Sequence, residues 1–261
     1  MRNVDENTIT AEAIERTAKA PSPRTREIVT SLLHHLHDFA REVSLTEAEW
    51  FEGIKFLTDA GRITDDKRQE FILLSDVLGL SMLVIAQNNR KPEGCTEATV
   101  FGPFHVSGAP AYTLGADIAN GAKGEPCYVN ATVKGLEGEP VAGAVVEVWQ
   151  ADADGFYDVQ YKGNEEHRAR GVLRTDARGR LYFKSVLAEA YPIPTDGPVG
   201  RLLAATGRHP WRPAHMHFMI SAPGYERLVT HVFRDHDQYL DSDAVFGVRS
   251  SLITHWQRHD A

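Results

Sequence analysis

The sequence predicts an α+β protein in which a helical first third gives way to a strand-rich remainder. Three observations carry this reading. Apolar residues recur at helical spacing up to about residue 90. Past Asn88, short runs of strand composition alternate with clusters of Gly, Pro and Asp. No helical period of useful length returns before the C-terminus, so the later part reads as a β-sandwich or barrel.

The elements follow in order. Ile28, Val29, Leu32, Leu33, Leu36 and Phe39 recur at three- and four-residue steps and build one apolar face. Thr46 and Glu49 have the spacing of a capping box ahead of Phe51, Ile54 and Phe56. Thr64 fits the N-cap of a helix through Phe71, Leu74 and Leu78, and a further turn or two should pass through Leu83 and Ile85. Four or five helices are therefore expected before residue 90. The segment KPEGCTEATVFGPF is rich in Gly and Pro and reads as a crossing loop. Strands are expected at residues 128–133, 145–149, 181–186, 215–221 and 228–233. Residues 190–211 are expected to form a long, ordered, functional loop, given their aromatic and aliphatic content.

Composition removes several function classes. The chain has 261 residues, 42% apolar, with 28 Lys+Arg against 36 Asp+Glu and a formal charge of −8. That is enough apolar content for a core. The acidic balance argues against a nucleic-acid binder, which needs a basic face. Two cysteines exclude a disulfide scaffold, and Cys95 and Cys127 read as free thiols. The longest apolar stretch, residues 71–86, contains Asp76 and is shorter than the roughly 20 residues a bilayer span needs. The first twenty residues carry acids from Asp5 onward and no apolar centre, so no secretory signal is expected. A soluble, cytoplasmic protein is the expectation.

The sharpest local feature is Arg212-Pro213-Ala214-His215-Met216-His217-Phe218. In a strand, residues i and i+2 share a face, so His215 and His217 would project in parallel toward one metal. Two half-exposed strand histidines explain the spacing equally well. The strand-rich part offers aspartates (Asp152, Asp154, Asp158) and tyrosines (Tyr157, Tyr161, Tyr182, Tyr191) as further ligands. Histidine with carboxylate would suit zinc or ferrous iron. Histidine with tyrosine would suit a hard, highly charged ion able to deprotonate a phenol of pKa about 10. Composition does not choose between them.

The ordered set of motifs resembles the intradiol ring-cleaving dioxygenases, the catechol 1,2-dioxygenase superfamily. The carrying segments are Phe101-Gly102-Pro103-Phe104, Val148-Trp149-Gln150-Ala151-Asp152 into Gly155-Phe156-Tyr157-Asp158, Tyr191-Pro192-Ile193-Pro194 with Asp196-Gly197-Pro198, and Gly207-Arg208-His209 into the Arg212–Phe218 run. They cover most of residues 100 to 235 in the family order. The resemblance implies a helical linker and dimerisation region over residues 1–98 and a β-sandwich catalytic domain with long active-site loops over residues 99–261. It implies non-haem Fe(III) held by Tyr157, Tyr191, His215 and His217, with no organic cofactor. Tyr161 does not align with the motif. Arg212 matches the family's active-site arginine, and Tyr191 the tyrosine expected to take part in catalysis. His231 stands where many relatives have glutamine, which leaves its role open.

The helical region points to the catechol, chlorocatechol and hydroxyquinol branch, and several details look most like the hydroxyquinol-cleaving members. Those details are Leu73-Leu74-Ser75-Asp76, Val100 to Phe104, Tyr191 to Pro194, and Asp241 to Val248. The resemblance then implies a substrate pocket of Leu73, Asp76, Val100, Phe101, Gly102, Pro103, Phe104, Ile193, Pro194, Arg212 and Val245. Asp76 beside an apolar wall could accept a hydrogen bond from a third ring hydroxyl. A homodimer through the N-terminal helices is implied, with a phospholipid at its axis. The alternatives are a catechol or chlorocatechol 1,2-dioxygenase, or more distantly a zinc hydrolase using His215, His217 and a carboxylate.

Overall fold

In the computed structural model, which describes residues 2–66, 68–161, 163 and 166–259, six α-helices occur among the described residues, five of them before residue 90. The chain divides into two compact units, residues 1–58 and 59–261.

The first unit holds α1 (Ile9–Thr17), α2 (Pro23–Glu42) and most of α3 (Glu47–Ile63). Ser22 caps α2 by accepting from the Thr25 N–H at 3.2 Å, and Pro23 fills the first helical position, where no amide donor is needed. The Thr46–Glu49 capping box forms as expected, with Glu49 Oε2 accepting from Thr46 N at 2.9 Å and the Glu49 N–H donating back to Thr46 Oγ1 at 3.3 Å. Thr10 Oγ1 lies 2.9 Å from His37 Nδ1 and ties α1 to α2. No described residue of α1 or α2 is buried.

In the second unit, α4 (Glu70–Val77) and α5 (Leu80–Asn88) meet at a 78° bend, where Gly79 takes φ +75. No single described helix is long and apolar enough to cross a membrane. The expectation that Thr64 caps a helix is not met. Thr64 sits just past α3 and donates its hydroxyl back to the Ala60 carbonyl at 2.7 Å, while α4 starts only at Glu70.

The strands are β1 (Pro126–Thr132), β2 (Val145–Gln150), β3 (Arg170–Arg174), β4 (Arg180–Val186), β5 (Tyr191–Pro192), β6 (Trp211–Arg212), β7 (His215–Ser221), β8 (Leu228–Arg234) and β9 (Ile253–Thr254). Five of them form one sheet in the order β3-β2-β7-β8-β9; β1 pairs with β4, and β5 with β6. Ile118, Val146, Val148, Leu173, Met216 and Phe218 meet Leu181 and Phe183 of β4 in one buried cluster. The five-stranded sheet and the β1-β4 pair therefore pack face to face as a sandwich.

Two expectations are corrected. Residues 190–211 are not one loop: they hold β5 and a helix, α6 (Pro198–Ala205). The helix is eight residues long, below the length that is stable alone, so its stability comes from burying Val199 and Leu203. Glu70 Oε1 accepts from the Val199 N–H at 3.0 Å, satisfying one free amide of its first turn. The second is that the expected strands include none between residues 149 and 181, yet β3 forms there: its Arg-Gly-Val-Leu-Arg sequence carries arginines at both ends, and Arg170 is buried through an ion pair instead of by hydrophobicity.

Candidate active site

Strand alternation creates the site. On β7, Met216 and Phe218 enter the sandwich core, so His215 and His217 project from the opposite face of the sheet. On β2, Val146 and Val148 face the core and Trp149 faces the site, stacking on His217 at 4.7 Å and 16°. His231 on β8 is register partner to His217, so its ring lies beside it.

Tyr157 follows β2 and opens the short 3-10 turn Asp158–Gln160, while Tyr191 begins β5. The structure brings both to the histidines. Tyr157 Oη lies 2.9 Å from His217 Nε2, 3.2 Å from Tyr191 Oη and 3.4 Å from His215 Nε2, and the two Nε2 atoms are 3.2 Å apart. Ligands sharing one ion at bond lengths of about 2.0–2.1 Å stand about 2.9–3.4 Å apart, so Tyr157 Oη and the two Nε2 atoms have the mutual spacing of one coordination sphere, with Tyr191 Oη adjoining Tyr157. Their protonation suits the same purpose. His215 Nδ1 lies 2.7 Å from the Pro213 carbonyl, which fixes its proton there and leaves a lone pair on Nε2. Burial, reinforced by the Arg212 charge, pushes His215 down to about 3. Burial likewise holds His217 well below the usual histidine range, so both imidazoles are neutral. Burial, with Tyr191 beside it, pushes Tyr157 well above its ordinary value. A phenolate there requires a cation. His217 Nδ1 is buried without a hydrogen-bond partner, and His231 is hydrogen-bonded to the Val100 backbone. Neutral imidazoles whose Nε2 atoms converge with two buried phenols fit a metal ion.

Phe104, Gly102 and Arg212 lie directly against the cluster. Phe104 stacks on Tyr157 at 4.4 Å and 21°. Gly102, at φ +75, passes so close that a Cβ there would come 3.3 Å from His217 Cε1. Leu73, Val100, Ile193 and Val245 are buried; Pro103 and Pro194 are half-buried; Phe101 is exposed and lies against His105 and Trp149. Asp76, one helical turn after Leu73 on α4, is 4% exposed, and burial pushes its carboxyl up, while Arg212 opposes the shift. Arg212 is 3% exposed and places Nη1 3.1 Å from His215 Nε2. Burial alone would lower its pKa, but Asp243 more than offsets this and keeps the guanidinium charged.

Three residues fall outside the expected set. Tyr161 donates to Asp152 Oδ2 at 2.6 Å and stays away from the cluster. Asp158 pairs with buried Arg170. Asp152 and Asp158 are thereby engaged elsewhere, and among the described residues the buried group able to hold a metal contains His215, His217 and His231 and no carboxylate. Sequence reasoning missed Asp243, which forks onto Arg212 at 3.0 and 3.3 Å. The segment Asp241 to Val248 that contains it carried part of the resemblance, but only Val245 of that segment was given a role.

The chain combines a sandwich, an N-terminal helical region and a buried donor set able to hold a metal ion, and comparison with known proteins gives its class. A family model described as a dioxygenase matches residues 100–261, and one described as the catechol dioxygenase N terminus matches residues 22–96. The chain belongs to the intradiol ring-cleavage dioxygenase family and is a ring-cleaving dioxygenase. Among its relatives, a 6-chlorohydroxyquinol 1,2-dioxygenase of Cupriavidus pinatubonensis is 68% identical over 99% of this chain and 94% of that protein. A hydroxyquinol 1,2-dioxygenase of Nocardioides simplex is 55% identical over 92% of this chain and 81% of that protein. The solved structure of a hydroxyquinol 1,2-dioxygenase from Pseudomonas putida matches with a TM-score of 0.90 at 50% identity, covering 97% of this chain and 88% of that one.

Proposed function

We propose that the chain cleaves hydroxyquinol (benzene-1,2,4-triol) between its two adjacent oxygenated carbons, giving 3-hydroxy-cis,cis-muconate, the enol form of maleylacetate. The observation that supports this most is the convergence of Tyr157, Tyr191, His215 and His217 on one buried point. These four would hold a non-haem ferric ion, which when bound supplies Lewis acidity and a template for the diol. Both oxygen atoms of dioxygen enter the product and the ring supplies the electrons, so no organic cofactor takes part.

The chain's own residues do the rest. Tyr157 Oη is engaged by Tyr191, His215 and His217, whereas Tyr191 Oη engages Tyr157, so Tyr191, once ionised by the bound cation, would be the freer phenolate to accept a proton from a diol hydroxyl. Arg212 sets a fixed positive charge beside the position where negative charge develops on the ring. Leu73, Val100, Phe104, Ile193 and Val245 exclude water, while Phe101, Gly102, Pro103 and Pro194 shape the rim. Asp76, buried with its pKa raised by desolvation and hydrogen-bonded to Ser81, meets the third hydroxyl and favours the triol over catechol.

The division of labour falls at residues 98 and 99, with the helices before it forming a homodimer that holds a phospholipid. Support comes from the uncovered face of α2, where Ile28, Leu32, Leu36 and Phe39 are each 51–53% exposed. Specificity constants for hydroxyquinol, catechol and 3-chlorocatechol, with one dioxygen consumed per ring, test the substrate. The highest value is expected for hydroxyquinol; an equal or higher value for catechol would reassign it.

A further inference from the structure

Arg212 is held by a turn that none of the site motifs includes as a working part. Its guanidinium is buried, and a buried charge needs a fixed counter-charge. Asp243 supplies it. Asp243 Oδ1 accepts from Arg212 Nε at 3.0 Å, and Oδ2 from Nη2 at 3.3 Å. The same carboxylate is fixed from behind by backbone donors: Val245 N–H to Oδ1 at 3.3 Å and Gly247 N–H to Oδ2 at 2.9 Å. Thr99 Oγ1 donates to the Gly247 carbonyl at 2.9 Å, anchoring the turn to the segment leading into Val100. With Nε and Nη2 taken, Nη1 is the end left facing the site, 3.1 Å from His215 Nε2.

An independent observation points the same way. A Cβ on Gly247 would sit 3.0 Å from Arg212 Nη2, 3.1 Å from Asp243 Oδ2 and 3.1 Å from Thr99 Oγ1. The turn therefore presses its backbone against the ion pair, and one added methyl group would displace it. Bidentate pairing fixes the plane of a guanidinium as well as its charge.

We propose that Asp243 and Gly247 are positioning residues that aim Arg212 Nη1 at the reacting ring, so that the 243–247 turn belongs to the active site. This rests on the proposed ring-cleavage reaction for its kinetic readout. It predicts that Asp243→Asn lowers kcat by about 10- to 100-fold, the range seen when outer partners of a working group are removed. Gly247→Ala, which keeps every charge, should lower kcat in the same direction.

The test is a double-mutant cycle on the iron-loaded protein, combining Asp243→Asn with Arg212→Gln, read by kcat and by the spectrum of the bound ion. If Asp243 acts through Arg212, Asp243→Asn costs little once Arg212 is gone, and it shifts the ion's spectrum only while Arg212 is present. Equal losses in both backgrounds would make Asp243 a structural residue and overturn the proposal. If Asp243→Asn fails to fold, Gly247→Ala paired with Arg212→Gln carries the same cycle, and normal kcat in Gly247→Ala would overturn it. If the iron-loaded wild type does not cleave hydroxyquinol, the substrate reading fails while the spectral cycle still decides the role of Asp243.

Discussion

Tyr157 and Tyr191 present the same hydroxyl to the same buried point, yet their surroundings differ. Tyr157 is fully buried under Phe104 with three polar atoms at its oxygen, while Tyr191 joins it from a two-residue strand. Tyr191→Phe should leave the fold intact, remove or sharply weaken the phenolate-to-metal absorption, and cut kcat by about 100-fold or more. Normal turnover in that variant would take Tyr191 out of the site. Asp76 gives a second expectation. Asp76→Asn keeps the size and should lower kcat/KM for hydroxyquinol about 10- to 100-fold relative to catechol, the worth of one hydrogen bond to a charged group. An unchanged ratio of specificity constants would mean the carboxyl does not meet the third hydroxyl. At this scale the sequence was legible where residues stand in motifs of fixed order, as with Tyr157, Tyr191, Arg212, His215 and His217. It marked the segment around Asp243 without giving that residue a role, because its partner lies thirty-one residues away and only the folded chain brings them together.

Strand β7 shows why one element was read correctly and others were not. His215–Ser221 is apolar with alternating histidines, so period and composition agree, and its burial is dictated by the sheet on both sides. Strand β3 breaks that agreement, since its first residue is a buried arginine held by Asp158 with Nη2 to Oδ1 at 2.5 Å. Helix α6 escapes notice for a related reason: it is only eight residues long, and the group that satisfies its Val199 amide is Glu70 of another helix, which is not local. The Arg170–Asp158 pair makes a prediction with a definite sign. Burial pushes the Asp158 carboxyl up, but the Arg170 hydrogen bonds outweigh this and hold it below the usual range. A depressed folded pKa contributes stability that is present above the unfolded value of about 3.9 and is lost as pH falls through the folded one. Asp158→Asn should therefore destabilise the protein at pH 7 by about 3–5 kcal/mol, since it leaves a buried guanidinium unpaired. Denaturant unfolding at pH 7 and pH 3 checks it: the gap between wild type and variant should narrow at low pH, and a constant gap would contradict the pairing.

For the molecule as a whole, the first unit has helices without a core of their own. Along α2 and the part of α3 within that unit, Ile28, Leu32, Leu36, Phe39, Trp50, Phe51, Ile54 and Leu57 are all more than two-fifths exposed. The helical period of α2 was plain in the sequence, but periodicity says only that a face is apolar and not what covers it. If a second copy covers it, light scattering should give a dimer for the wild type and a monomer for the Leu32→Glu/Leu36→Glu variant, with mass spectrometry finding a phospholipid in the first and none in the second. A wild-type monomer would remove the proposed dimer. The central claim is that two tyrosines and two histidines hold ferric iron to which the diol binds. The visible absorption spectrum of the purified iron-loaded protein, recorded before and after anaerobic addition of hydroxyquinol, tests it most directly. The account predicts a red protein whose broad band moves to longer wavelength when the diol is added. A colourless iron-loaded protein, or a band unmoved by the diol, would contradict it.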